Sequence, residues 1–403
     1  MKRRVHVDSK NKIGVAVVLL IIYLVCIFGL MQTTPPATTP NTTVETTQPN
    51  ERVRVALTGD FLWEQGLYDW MDHYQFGTYF DKVKPYLQSD LTIANHEVPI
   101  GGEELGISGT EFTFNAPKQI AQQLPSIGIN FATLANNHTL DMGLKGLNNT
   151  LQFLDEAGIA HTGAYRNSDD ADKIKVVDVK GVKIAILAYT YDTNVPRIEG
   201  NHVSYFLSEN LTFDATHREK LKADIKKAKA QSDLVFVAMH WGTEFTYELT
   251  ETQKEVATFL NEQEVDLVIG NHPHTVQKAE QKTNANGYPT LVFYSLGNTV
   301  SSDVQVSRAT PDFQVLYHIG ALVNLDIVKK DSRYQFENVK IIPIVNHFEK
   351  GDTNYQLVPL KDYNQEMAAK HTQAIYNADF NYEWIKNQMK TVFSSSGLQL
   401  LDE

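Results

Sequence analysis

Five apolar runs along this chain each end in side chains able to bind a metal ion: Asp60, Glu97, Asn137 with His138, His240, and His272 with His274. Two carboxylates, an amide and several imidazoles form a mixed oxygen and nitrogen set suited to manganese, iron or zinc. A carboxylate flanked by His and Asn can hold two ions about 3.5–4 Å apart, which clamp both oxygens of an in-line displacement. The chemistry implied is hydrolysis, with one or two divalent transition ions as cofactor. Taken singly, each residue has a plainer role. Asp60 could be a helix N-cap, Asn137 a strand-end turn residue, and His272-Pro273-His274 two solvated imidazoles. Their joint occurrence at successive strand ends is what argues for a site.

Buried strands must position these groups. Residues 53–58 read as a strand ending at Gly59-Asp60, 91–94 as one ending at Asn95-His96-Glu97, and 129–135 as one ending at Asn136-Asn137-His138. Residues 234–239 run into His240-Trp241-Gly242, and 265–269 into Gly270-Asn271-His272. Near-continuous apolar strands belong to parallel sheets covered by helices, and ligands bind beyond the carboxyl ends of such strands. Further strands are expected over 182–189 and 290–296. Two more, 321–328 and 339–345, are expected as an antiparallel hairpin completing a second sheet. Residues 144–157 have helical spacing and stop at Gly158, and 214–231 read as a solvated surface helix rather than a basic patch. The main domain is expected over 52–349, with 350–403 as a polar tail or helical appendage.

The 403 residues carry a formal net charge of −12, which argues against nucleic acid as a partner. Residues 1–12 form a basic tail, and the charge-free apolar run at 13–31 approaches the roughly 20 residues that span a bilayer, so it is read as an uncleaved anchor. Residues 32–51, rich in Thr and Pro, read as an extended stalk. The remaining domain then lies outside the cytoplasmic membrane. Cys26, the single cysteine, falls in the anchor, so no intrachain disulfide is available; Val25 before it argues against lipidation.

Gly59-Asp60, Asn95-His96-Glu97, Asn136-Asn137-His138, His240-Trp241-Gly242-Thr243-Glu244, Gly270-Asn271-His272-Pro273-His274 and Tyr294-Ser295-Leu296-Gly297-Asn298 together resemble an ordered motif set. It is that of the CapA-type poly-γ-glutamate capsule biosynthesis proteins, a family similar in turn to the calcineurin-like metallophosphoesterases. The resemblance implies a layered α/β sandwich of the metallophosphoesterase type with the site at one edge. It implies that Asp60 binds a first metal, that Glu97 bridges, and that Asn137, His240 and His272 bind a second, with His274 returning to the first. It casts His138 as proton donor or charge stabiliser and Glu244 as an acid or base, or as support for the ligands. The pattern departs where phosphoesterases carry Asp-x-His, because Asp60 is followed by Phe61 and Leu62. The first metal is therefore expected to be weak or absent. His96, where the family has an apolar residue, is read as a harmless substitution. Thr299 replaces a Phe and is expected to affect packing.

The expected function is that of a single-pass, membrane-anchored protein with its C-terminal domain outside, serving poly-γ-glutamate capsule synthesis or export through a metal-dependent hydrolase-like site. Its expected partners are poly-γ-glutamate or another anionic envelope polymer, and membrane components of a capsule synthase. A non-catalytic accessory subunit of a membrane polymer synthase and an envelope phosphoesterase unrelated to capsule are the competing readings. Trp241 is expected in the core or a pocket wall and His161 in a structural role. Tyr189, Tyr191 and Arg197 are candidates for contact with an anionic substrate or for a solvated loop.

Overall fold

The computed structural model describes residues 52–110, 113–302, 316–394 and 396–401. The basic tail, anchor and stalk expected over 1–51 lie outside the described residues, among which no helix is long and apolar enough to cross a membrane.

Four parallel strands begin one sheet: β1 (Val53–Phe61), β2 (Leu91–His96), β3 (Phe131–Thr133) and β4 (Ala160–Thr162). The chain then builds a six-stranded sheet from β5 (Lys175–Val179), β6 (Val182–Thr190), β7 (Leu234–His240), β8 (Leu267–Asn271), β9 (Ala279–Thr283) and β10 (Pro289–Phe293). Their order is β5-β6-β7-β8-β10-β9, with β6, β7, β8 and β10 parallel. It returns to the first sheet with β11 (Asn298–Val300), β12 (Ile319–Lys330), β13 (Arg333–Glu349), β14 (Thr353–Pro359) and β15 (Gln399–Leu400), giving the path β14-β13-β12-β1-β2-β3-β4. The β12–β13 hairpin forms antiparallel as expected but extends the first sheet at β1; the second sheet is completed without it.

The layers follow from the period of two along the central strands. Ile184, Ile186 and Ala188 of β6, with Leu234, Phe236 and Ala238 of β7, join one core cluster with Val55, Leu57, Ile93 and Phe131 of the first sheet. The alternate residues Ala185, Leu187, Tyr189, Val235, Val237 and Met239 join a second cluster with Leu221, Ile225, Val256 and Leu260. Those last four lie on the helices Ala215–Lys229 and Glu251–Glu262. The helix Gly143–Glu156 adds Leu147, Leu151 and Leu154 to the first cluster. The described residues thus form a layered α/β sandwich, with two sheets face to face and helices outside.

The segment past Glu349 does more than append. β14 pairs with β13, β15 pairs with β13 further along, and the helix Tyr382–Phe393 buries Ile385, Met389 and Phe393 in the shared core. Its apolar positions at 385, 389 and 393 recur at helical spacing, the stripe that docks a helix on a sheet.

Candidate metal centre

The carboxyl ends of β1, β2, β3, β7 and β8 converge on one edge of the sandwich. Close strand approach makes this possible. A β-carbon on Gly59 would stand 1.9 Å from Gly297 O, and one on Gly270 would stand 2.0 Å from Tyr294 O. Beyond β8 the chain enters the left-handed region at His272 (φ 97°) and His274 (φ 53°), a conformation that costs a side-chain-bearing residue about 1–3 kcal/mol. Neighbours hold this turn: His272 N donates to Asp60 Oδ2 at 3.1 Å, and Phe245 N donates to Pro273 O at 2.8 Å. The two imidazoles are thereby brought to one centre, with ring centroids 6.1 Å apart.

Glu97 lies at the heart of it. Both carboxylate oxygens are buried without a hydrogen bond. Oε1 stands 3.4 Å from His240 Nε2 and 3.7 Å from His274 Nε2. His240 Nε2 aligns instead on Asn137 Oδ1 at 2.7 Å, so its approach to Glu97 is electrostatic rather than a hydrogen bond. Burial pushes the Glu97 carboxyl upward, yet His274, His240 and His138 outweigh it and hold the group down at about 2. Burial likewise pushes His274 down, while Glu97 and Asp60 carry it up to about 10. His272 is driven well below the ordinary histidine range by burial and by His240, His274 and His138. It is neutral, and its buried Nδ1 has no partner.

Three sets of ligand atoms lie within 4.8 Å of one another: Glu97 with His240 and His272, Asp60 with Glu97 and His274, and Glu244 with His272 and His274. Glu97 is common to the first two, and Asn137 joins the first through its contact with His240. A buried carboxylate with neither oxygen satisfied is costly unless a cation takes it. The orphaned oxygens, the free His272 nitrogen and the mixed donor set therefore fit one or two divalent transition ions.

All the residues expected from the strand ends meet here, with differences in surroundings. Asp60 is already doubly engaged, since its Oδ1 accepts from Asn95 Nδ2 at 2.7 Å and its Oδ2 from His272 N. Leu62, where a histidine would stand, is buried in the core, so the end of β1 offers Asp60 alone. His138 belongs to none of the three sets. Its Nδ1 is 2.8 Å from Asp141 Oδ2 and 3.3 Å from Asn194 Nδ2, and Phe114 packs edge-on at 4.8 Å between ring centroids. Glu244 is half-buried and meets the two histidines of the turn.

Four neighbours escaped the sequence reading as individual contributors. Asn95 bonds Asp60 and approaches His240 Nδ1 at 3.4 Å, and Asn298 Oδ1 lies 2.9 Å from His274 Nδ1. Both sit inside the quoted motifs. Asp141 is signalled only by its spacing three residues from His138. Asn194, in the loop after β6, carries no local signal.

Of the remaining candidates, Tyr191 lies on His272 with ring centroids 4.7 Å apart. Tyr189 turns to the other face, where its hydroxyl donates to Asp224 at 2.8 Å. Arg197 is occupied by Asp192 and by the carbonyls of Tyr191, Leu207 and Ser208. His96 is buried, accepts from Trp63 Nε1 at 3.2 Å and joins no ligand set. Trp241 is fully buried and donates to Tyr294 O, and His161 faces Asp155 away from the site.

The family profile described as bacterial capsule synthesis protein PGA_cap matches residues 54–303. The capsule biosynthesis protein CapA of Bacillus anthracis is 28% identical over 315 residues, 77% of this chain and 74% of that protein. The PGA biosynthesis protein CapA of Bacillus subtilis is 28% identical over 251 residues, 60% of either chain. The crystal structure of calcineurin-like phosphoesterase YfkN from Bacillus subtilis aligns over 85% of this chain and 97% of its own, with 14% identity and a TM-score of 0.39. With a profile that spans Asp60 to Asn298 and takes in every side chain gathered at the centre, the chain belongs to the bacterial capsule synthesis protein family PGA_cap.

Proposed function

We propose that this protein serves capsule polymer synthesis or export as a metal-dependent hydrolase acting on a phosphoester or amide bond. One observation carries the reading: both oxygens of Glu97 are buried without a hydrogen bond, between His240 and His274. Asp60, Glu97 and His274 would hold one ion, and Glu97, Asn137, His240 and His272 the other. When bound, such an ion supplies concentrated positive charge that polarises a phosphoryl or carbonyl oxygen.

The chain's own groups supply the rest. Asp141 accepts a hydrogen bond from His138 Nδ1–H, which orients the ring and leaves Nε2 to deliver or accept a proton at the leaving group, the logic by which a carboxylate orients an imidazole. Glu244 offers a half-buried second acid or base. Tyr191, Phe114 and Phe245 wall the centre and limit water. The names of the Bacillus relatives support poly-γ-glutamate, or a similar anionic envelope polymer, as the material handled, with membrane components of its synthase as partners. The apolar run 13–31 supports a single-pass anchor with the folded domain outside the cell membrane.

The test is metal content by elemental analysis after manganese, iron or zinc loading, for wild type, Glu97→Ala and His272→Ala. Retention of about one or two ions by wild type alone supports the reading; equal absence in all three defeats it. Protease accessibility in intact cells tests the topology, and an ectodomain shielded from added protease would refute it. A non-catalytic accessory role is the second reading, favoured by Leu62 in place of a ligand on β1. A metal-loaded wild type that turns over neither phosphoester nor γ-glutamyl probes would support it.

A further inference from the structure

A series of polar contacts, passing through the backbone carbonyls of Asn346 and Asn298, leads from the C-terminal segment to the metal centre. His371 Nδ1 accepts from Gln373 N at 2.9 Å, so Nε2 carries the proton it donates to Asn346 O at 2.8 Å. Asn346, buried on β13, also donates its own N–H to His318 O at 2.8 Å. Its amide orientation follows from its partners. Ser301 N and Tyr79 OH donate to Oδ1 at 3.2 and 2.5 Å, which leaves Nδ2 to donate to Asn298 O at 3.2 Å. Asn298 is fixed in the same way: Nδ2 donates to Tyr317 O at 2.9 Å, so Oδ1 is the acceptor that faces His274 Nδ1 at 2.9 Å, with Asp60 Oδ2 3.4 Å from the same nitrogen. His274 is left with Nε2 directed at Glu97.

We propose that Asn346 is a positioning residue for the metal centre, acting through Asn298 to fix the His274 ring with Nδ1 protonated and Nε2 free to face the ion. The proposal rests on the metal-site reading above. Asn346 and His371 both lie beyond residues 54–303, so the C-terminal segment is assigned a part in the site that the matched region does not contain. The physical reason is general: partners of a ligating histidine's other nitrogen set its tautomer and orientation, and losing them costs roughly 10–100-fold in metal affinity.

The experiment is a double-mutant cycle on metal affinity in the full-length protein, using manganese and zinc. Asn346→Ala and Asn298→Ala are each expected to weaken binding by roughly 10–100-fold. The double variant should bind no more weakly than Asn298→Ala alone, because one residue acts through the other. Tyr363→Phe removes a hydroxyl 3.1 Å from His347 in the same polar cluster, and should lower Tm while leaving affinity unchanged. Wild-type affinity in a cooperatively melting Asn346→Ala, or losses that multiply fully, overturns the proposal. If wild type binds neither ion, the metal reading fails and the His274 Nδ1–H proton resonance decides instead. Its loss in Asn346→Ala, with Tyr363→Phe retaining it, upholds the relay; its persistence overturns it.

Discussion

His274 Nε2 faces Glu97 Oε1 across 3.7 Å, and neither oxygen of that carboxylate has a hydrogen bond. With His274 carried up to about 10 and Glu97 held at about 2, the two form a buried ion pair across the neutral range when no metal is present. A metal entering at Nε2 must expel that proton, so affinity rises with pH, by roughly tenfold per unit between pH 6 and 9. Calorimetry in buffers of different ionisation enthalpy should show about one proton released per ion bound. Uptake with no proton released would sink the assignment of Nε2 as a ligand.

Asp141 and His138 make a second pair whose removal separates binding from chemistry. Asp141 Oδ2 takes both His138 Nδ1 and Phe114 N, and neither residue belongs to a ligand set. Asp141→Asn should leave metal content intact and lower turnover of a phosphodiester probe by roughly 10²-fold or more. An unchanged rate would remove His138 from the proton transfer.

Strand closure at Gly270 is sterically tight, with Tyr294 O where a β-carbon would go. Gly270→Ala must push β8 from β10 beside the His272 turn, and should cost roughly 1–3 kcal/mol by urea unfolding. Metal affinity should fall with it. A variant as stable as wild type would show that the strands can separate without penalty.

Away from the centre, His318 and His371 are buried beneath the C-terminal segment. Burial, against a weaker opposing bond from Gln373, pushes His318 down to about 4, and burial with His318 drives His371 well below its ordinary range. An unfolded histidine binds its proton near pH 6.5, so below that pH the unfolded chain holds more protons than the folded one. The contribution of these two histidines to stability is therefore constant above about pH 6.5 and is lost as the pH falls below it, by up to about 1.4 kcal/mol per unit for each histidine. Urea unfolding at pH 5 and 7 should show this loss, reduced by about one proton in His318→Gln. Equal slopes in both proteins would refute the linkage.

Which side chains stand at the strand ends is legible from the residues alone, because strand period and the turn residues after each run are local properties. Asp60, Glu97, Asn137, His240, His272 and His274 were all visible in this way, as were the sheets' central strands and the helices over 144–157 and 214–231, whereas the helix Glu251–Glu262 was not. What each group faces depends on how distant segments pack together. Tyr189 and Tyr191 both pack against the helix-covered cluster, yet the Tyr189 hydroxyl donates to Asp224 while Tyr191, past the strand end, reaches His272. The hairpin β12–β13 joined β1 rather than the second sheet because pairing depends on which edge is open, a non-local matter. The same holds for Asn346, an unremarkable polar residue in a long strand, which touches the site through Asn298. Its partners come from residues 48 and 25 positions away, and no local pattern encodes such distances.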